Sequence, residues 1–471
     1  MPPGRGRFDV VLVLLLVLVN GIVLFNAVRH DPFVGYDAGA HFGYIGALTE
    51  GRLPEKQDTF EFFTPPLAYA PAAFLWAFGP SSLRLAGRVA LYWNAVWSLG
   101  LTLVLVRMAR LLRPGDSVFP RVVLLLLGML PVYYKTFAFV RPEPLLAFLA
   151  LAALYSALRL FGEDAPTWPL IVGLGVLLGL LILTRQQGFF VIAAIVLFAG
   201  GRMIARPWNR RLYGGALALA LVIAFAVGGW FYLRLQMRHG SALAYVKEPS
   251  TFSLANNPTS FYLGTGDGAL FVSPVRPSFR NQLLPTFYSE TWGDYGCYFL
   301  VYGIDRRTRS FLSGGALEDA LPRKRAPFFL RTNRDEMART LGRVNAVALF
   351  PSALFVMGVL AALPSLGALV RGRAERSRPA LLLLTILVTF AAYLALLVVY
   401  PARSGNMIKA TYVLHALPAV ALLAADLLAR VRERSVLAFR VAVAILVIAT
   451  AHNSVAFVTR YTSSAFTRWG L

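Results

Sequence analysis

Apolar runs long enough to cross a bilayer recur along almost the whole of this 471-residue chain, and about 20 apolar residues suffice for one crossing. Nothing else in the sequence limits the fold so strongly. In hydrocarbon every backbone polar group needs an internal partner, so runs of this kind fold as helices. The candidate spans are 8–28, 83–108, 118–134, 143–161, 168–184, 187–200, 213–235, 344–370, 379–400, 410–429 and 436–458. The expected fold is an all-α polytopic membrane protein with about 11 transmembrane helices. Composition agrees. The chain is 57% hydrophobic and only 15% charged, far from an ordinary soluble domain. Residues 1–28 have the order of regions of a signal peptide, but the apolar run is long and no small-x-small site follows. They are read as an uncleaved first span.

Arginine placement orients the spans. The groups Arg5/Arg7, Arg107/Arg110/Arg113, Arg202/Arg206/Arg210/Arg211, Arg371/Arg373/Arg376/Arg378 and Arg430/Arg432/Arg434 all fall on one side of the span pattern. The positive-inside rule makes that side cytoplasmic. The N-terminus is then inside and the C-terminus outside. The pair 168–184 and 187–200 is short, with TRQQ between. Merging it would put the Arg202 group outside, so parity splits it. The net charge of +23 would indicate nucleic acid in a soluble protein. Here it fits loops held against anionic lipid, and no nucleic-acid partner is expected.

The spans leave two polar loops outside. The chain therefore divides into an N-terminal transmembrane module, 1–235, carrying the first periplasmic loop, 29–82; a periplasmic loop or small domain, 236–343; and C-terminal helices, 344–471. In the first loop, AGAHFGYIGALTEG (38–51) reads as a short helix, with Asp37 to cap its start and Gly51 to end it. LAYAPAAFLWAFG (67–79) is apolar but too short to span, and reads as a helix lying in the interface. The second loop is long for unstructured chain and reads as a small folded element.

Several residues carry possible chemistry. Asp37, His41 and Tyr44 are spaced i, i+4, i+7, one face of a helix. A carboxylate near a histidine at the membrane edge suits a general base; a plain helix cap is the competing reading. Asp58 or Glu61, in the same loop, would supply a second carboxylate. On the outer side Lys135, Arg141, Arg185, Arg403 and Lys409 do nothing for the positive-inside rule, and unpaired charge at that depth is costly. A head-group phosphate is one natural partner; snorkelling or pairing with an acid such as Glu143 is another. Glu290 and Asp294 lie among aromatics in YSETWGDYGCYFLVYG (288–303), which suits a sugar-binding surface or an interfacial belt. A single cysteine, Cys297, and five scattered histidines give no metal motif. Walker and Rossmann glycine signatures are lacking too. No cofactor or metal is expected.

DAGAHFGYIGALTEGRLP followed by FFTPPLAYAPAAFLW resembles the first extracytoplasmic loop of glycosyltransferases of the GT-C superfamily. The similar types are bacterial relatives of the protein mannosyltransferases and of the lipid A aminoarabinose transferase. RPEPLLAFL (141–149) and NMIKATYVLHALPAVALL (406–423) also look like the family. The resemblance implies a GT-C-like fold with two interfacial helices in the first periplasmic loop. It implies a polyprenyl-phosphate-linked sugar as donor and assigns the catalytic base to Asp37. Many members have Asp-Glu where this chain has Asp37-Ala38. The reading that results is an inverting glycosyltransferase of the bacterial inner membrane with its site on the periplasmic side. It would act on a lipid, glycan or protein acceptor, with Arg403, Lys409, Arg185 and Arg141 on the donor phosphate, and His41, Tyr44, Glu290 and Asp294 as substrate contacts. A lipid or polysaccharide transporter or flippase, and a noncatalytic envelope-assembly scaffold, are the alternatives.

Overall fold

The computed structural model describes residues 9–79, 82–162, 166–300, 303–304, 311–312, 328–402 and 404–460. Arg403, Arg5 and Arg7 lie outside the described residues. The chain opens with α1 (Val10–Arg29), passes through two short helices, α2 (Ala38–Thr49) and α3 (Ala70–Phe78), and continues with α4 (Leu83–Leu112). Then come α5 (Val118–Gly128), α6 (Pro131–Phe137), α7 (Glu143–Gly162), α8 (Trp168–Ile182), α9 (Gly188–Ala205) and α10 (Arg210–His239). A long connection holds α11 (Thr259–Leu263), α12 (Leu283–Trp292), a two-residue antiparallel ladder (Gly303–Ile304 with Phe311–Leu312) and α13 (Phe328–Val347). The last part is α14 (Leu349–Ala362), α15 (Pro364–Val370), α16 (Ala374–Val399), a 3-10 helix (Ala410–Ala416), α17 (Leu417–Arg434) and α18 (Val436–Asn453).

This is an all-helical, multi-pass membrane protein. Among the described residues nine helices, taken singly or as near-straight continuations, are long and apolar enough to cross a membrane. Two of the expected spans depart from that pattern. Residues 118–134 are not one helix: α5 and α6 meet at a 68° bend. Pro131 has no N–H to donate and disfavours helical backbone at the residue before it; Leu130 is accordingly extended. The other is α8, whose 15 residues reach about 22 Å at helical rise, short of the roughly 30 Å hydrocarbon core. It lies close along α10. A Cβ on Gly179 would sit 2.5 Å from Val227 Cβ, and one on Gly228 would sit 2.4 Å from the Gly179 carbonyl. Glycine alone permits that approach.

The arginine groups meet at one end of the bundle. Arg113, after α4, pairs with Asp426 at 2.8 Å and with Glu433 on α17. Arg432 pairs with Asp116, and Arg378 donates to the Leu111 carbonyl. Arg202, fully buried near the end of α9, donates to the carbonyls of Phe161 and Gly162 and to Ser377. The Arg202 group therefore lies with the others, and the short pair α8 and α9 is indeed two separate helices.

At the other end the first loop folds over the bundle. Thr59 Oγ1 donates to the Ala40 carbonyl, Leu67 N–H to the Leu183 carbonyl, and Arg234 to Glu55. The chain between α10 and α14 closes on the same end through α12. There Lys135 Nζ, from α6, donates to Glu290 Oε2 at 2.6 Å and to the Glu290 and Gly293 carbonyls.

Candidate active site

Asp37 precedes α2 with φ +59°, a left-handed conformation that Asp and Asn tolerate better than other side chains. Its carbonyl accepts from the N–H groups of Ala40 and His41. Its side chain makes no capping bond, which corrects the cap expected from the sequence. The carboxylate instead receives Lys409 Nζ at 2.6 Å. A full ammonium is a stronger partner for a carboxylate than a backbone amide, and the left-handed turn releases the side chain to it. Burial pushes the Asp37 carboxyl up, but the Lys409 ammonium and the Arg141 guanidinium outweigh it and hold the group at about 2. Lys409 is pushed down by burial and up by Tyr412 and Asp37, and the upward push wins.

Three further cations stand around this pair, each in contact with at least one acid. Arg141 makes a two-pronged contact with Glu143, at 2.9 and 2.7 Å. Arg185, in the turn between α8 and α9, lies 3.3 Å from Glu61 and 3.6 Å from Glu143. Lys135 takes Glu290, which also receives the Tyr36 hydroxyl and the Gly296 N–H. Two aromatic rings bind the set together. The Tyr412 ring faces Arg141, Arg185 and Lys409 at 5.6, 5.8 and 5.6 Å. The Tyr36 ring faces Lys409 at 5.0 Å, Arg141 at 5.6 Å and Lys135 at 5.9 Å. A cation over an aromatic face gains electrostatic stabilisation that grows when water is excluded.

The structure thus brings together Asp37, Glu61, Arg141, Arg185, Lys409 and Glu290 from the residues read in the sequence. The remaining ones sit differently. Asp58 is bound by Arg52 at 2.6 and 2.9 Å on the loop surface. Asp294 turns inward and accepts three backbone N–H groups, from Tyr298, Phe299 and Leu300; burial pushes its carboxyl up. His41 Nδ1 lies 2.7 Å from the Tyr69 hydroxyl, and Tyr44 stacks on the same Tyr69 ring at 4.4 Å. Burial pushes His41 down to about 4, so it is neutral at physiological pH. Glu61 is pushed up by burial, but Arg185 and His41 bring it below its ordinary value; it also accepts from Thr64 Oγ1.

Tyr36 and Tyr412 were not singled out from the sequence. Tyr412 had one local signal. It follows Lys409 by three residues, and i, i+3 side chains stack on a 3-10 helix. Two spaces open beside the cluster. A cavity of 420 Å³ has Arg185 and Thr64 in its wall together with Phe189, Tyr393, Leu396 and Tyr412. A narrower niche of 80 Å³ is lined by Asp37, Lys409, Tyr36, Arg276, Glu290 and Asn406 among others. Among the described residues no group of three or more His, Cys, Asp or Glu is arranged to hold a metal ion.

The chain is similar to an archaeal oligosaccharyltransferase. That protein, from Archaeoglobus fulgidus in its apo form, is 15% identical, with 95% of this chain and 56% of that chain covered and a TM-score of 0.49. Its complex with an inhibitory peptide and a dolichol-phosphate matches at 14% identity, with 95% and 56% covered and a TM-score of 0.45. ArnT from Cupriavidus metallidurans bound to undecaprenyl phosphate matches at 16% identity, 88% of this chain and 76% of that one, with a TM-score of 0.39. The chain spans little more than half the length of the archaeal transferase. No family model and no curated protein matches it.

Proposed function

We propose that this protein is an inverting glycosyltransferase that moves a sugar from a polyprenyl-phosphate carrier to a hydroxyl acceptor on the outer side of the bacterial inner membrane. The observation that carries this reading is the Asp37–Lys409 contact. It sets a carboxylate beside a cluster of cations, one of which, Arg185, also lines a largely apolar cavity. The lipid phosphate sits at Arg185, with Lys409 and Arg141 in reach, and the prenyl chain runs along Phe189 and Leu396. The acceptor enters by the niche at Asp37.

In this scheme the acceptor oxygen attacks the anomeric carbon from the face opposite the phosphate. The new C–O bond forms as the bond to the phosphate oxygen breaks. The electron pair leaves on the phosphate, and the acceptor proton passes to the Asp37 carboxylate. A phosphate is already a good leaving group, so it needs charge neutralisation rather than a proton, and the cations supply it. Clamped by Lys409, Asp37 is a weak base. A donor phosphate that draws the Lys409 ammonium to itself loosens that clamp and strengthens the base when a sugar is in place.

The test is a proteoliposome assay with a panel of polyprenyl-phosphate sugars and simple alcohol, lipid A-type and peptide acceptors. Transfer with inversion at the anomeric carbon is expected. Lipid translocation without any transferred sugar would favour the transporter reading instead.

A further inference from the structure

The mechanism leaves the opposite end of the bundle unused, and that end holds a cavity of 710 Å³. Six arginines and three acids line it: Arg113, Arg371, Arg373, Arg376, Arg378 and Arg430 against Glu375, Asp426 and Glu433. Two of the acids are already engaged. Asp426 receives Arg113 at 2.8 Å and also Arg430, and Glu433 receives Arg113. Arg378 donates to the Leu111 carbonyl at 2.9 Å. Arg371, Arg373 and Arg376 are exposed at the rim. Among the described residues, none of the ion pairs named above includes them. The turn that presents them depends on Gly372, whose φ of +72° other residues rarely adopt.

A second observation points into the same space. Ser365 lines the cavity, is only 6% exposed, and its hydroxyl has no hydrogen-bond partner. A buried hydroxyl without a partner costs free energy that a bound polar group recovers. The inner wall is apolar, formed by Leu382, Leu422 and Leu423. The cavity lies where the helices α4, α14 and α17 end and α16 begins. A basic rim, a buried hydroxyl and an apolar wall match one molecule that carries phosphate, glycerol and acyl chain. We propose that this cavity binds an anionic glycerophospholipid, with its phosphate on Arg371, Arg373 and Arg376 and a glycerol or ester oxygen on Ser365. A free phosphate would use the rim and leave both the hydroxyl and the apolar wall uncovered.

The test uses the full chain, purified and stripped of lipid in a neutral detergent. It is titrated with dioleoylphosphatidylglycerol, dioleoylphosphatidylcholine or inorganic phosphate and read by native mass spectrometry. Phosphatidylglycerol is expected to bind at least tenfold more tightly than phosphatidylcholine. R371A/R373A/R376A should weaken it at least tenfold, and S365A, which keeps every charge, about threefold. R210A/R211A removes two arginines at the start of α10, outside the cavity, and should leave it unchanged. Equal affinity for the two lipids would overturn the proposal. So would a loss in R210A/R211A as large as in the triple variant, an unaltered S365A, or inorganic phosphate competing as well as phosphatidylglycerol.

Discussion

Lys409 Nζ stands 2.6 Å from Asp37 Oδ2, across 372 residues of sequence. The contact joins the first loop to the segment between the two helices α16 and α17, and it sets the acidity of the carboxylate.

Replacing Lys409 with methionine removes that control. Asp37 is then left with burial, which raises its pKa, and with the more distant Arg141. Its pKa therefore rises from about 2 toward its ordinary value. The ionised form is the base, so activity is lost as pH falls through this value. The acid limb of kcat/KM, which reports the free enzyme, should move to higher pH in Lys409→Met. An unmoved limb would show that the group titrating there is not Asp37.

Arg141 and Glu143 form a buried two-pronged pair. Arg141→Met leaves the Glu143 carboxylate in the interior with only Arg185, 3.6 Å away. Unfolding in detergent should show a loss of about 3 kcal/mol, the lower end for a broken buried pair. Adding Glu143→Gln should restore most of it. A single variant as stable as wild type would mean that Arg185 takes over the acid in full.

The Tyr412 ring faces three cations. Tyr412→Phe keeps the ring and should hold donor-lipid affinity within about twofold. Tyr412→Leu should cost about thirtyfold, the size of one desolvated cation–π contact of about 2 kcal/mol. Equal affinities, measured with undecaprenyl phosphate, would remove the ring from the donor site.

The arginine parity also predicts orientation. A reporter fused at Ser260 should read as exported and one at Arg373 as cytoplasmic. A cytoplasmic signal at Ser260 would put the Asp37 cluster on the wrong side for an exported acceptor.

Much of this architecture was legible because it is periodic or locally punctuated. The short helix expected at 38–51 is found at Ala38–Thr49, and that at 67–79 at Ala70–Phe78, where apolar length and end residues decide. The break at Pro131 was legible in principle, since proline acts on its own neighbours, but the unbroken apolar composition of 118–134 masked it. The pairing of cations with acids was not legible. Arg185 meets Glu61 across 124 residues, and such partners depend on how helices pack. Sequence spacing put Asp37, His41 and Tyr44 on one helical face, yet the structure uses that face twice. His41 and Tyr44 go to Tyr69, while the left-handed turn at Asp37 swings the carboxylate to Lys409. Tyr36 passed unnoticed because a lone tyrosine in an aromatic-rich membrane chain carries no distinguishing signal, and the i, i+3 spacing of Lys409 and Tyr412 is informative only once the 3-10 helix is known.

Asp37→Asn is the most direct test. Asparagine tolerates the left-handed backbone as well as aspartate does, and no side-chain cap is lost. It cannot accept the acceptor's proton. With purified protein in liposomes, undecaprenyl phosphate should bind at least as tightly as to wild type, since Lys409 is freed, and sugar transfer should fall at least about a hundredfold, the lower end of what acid–base catalysis contributes. Transfer at near wild-type rate would contradict the account and move the search for the base to Glu61, the other first-loop acid inside the cluster.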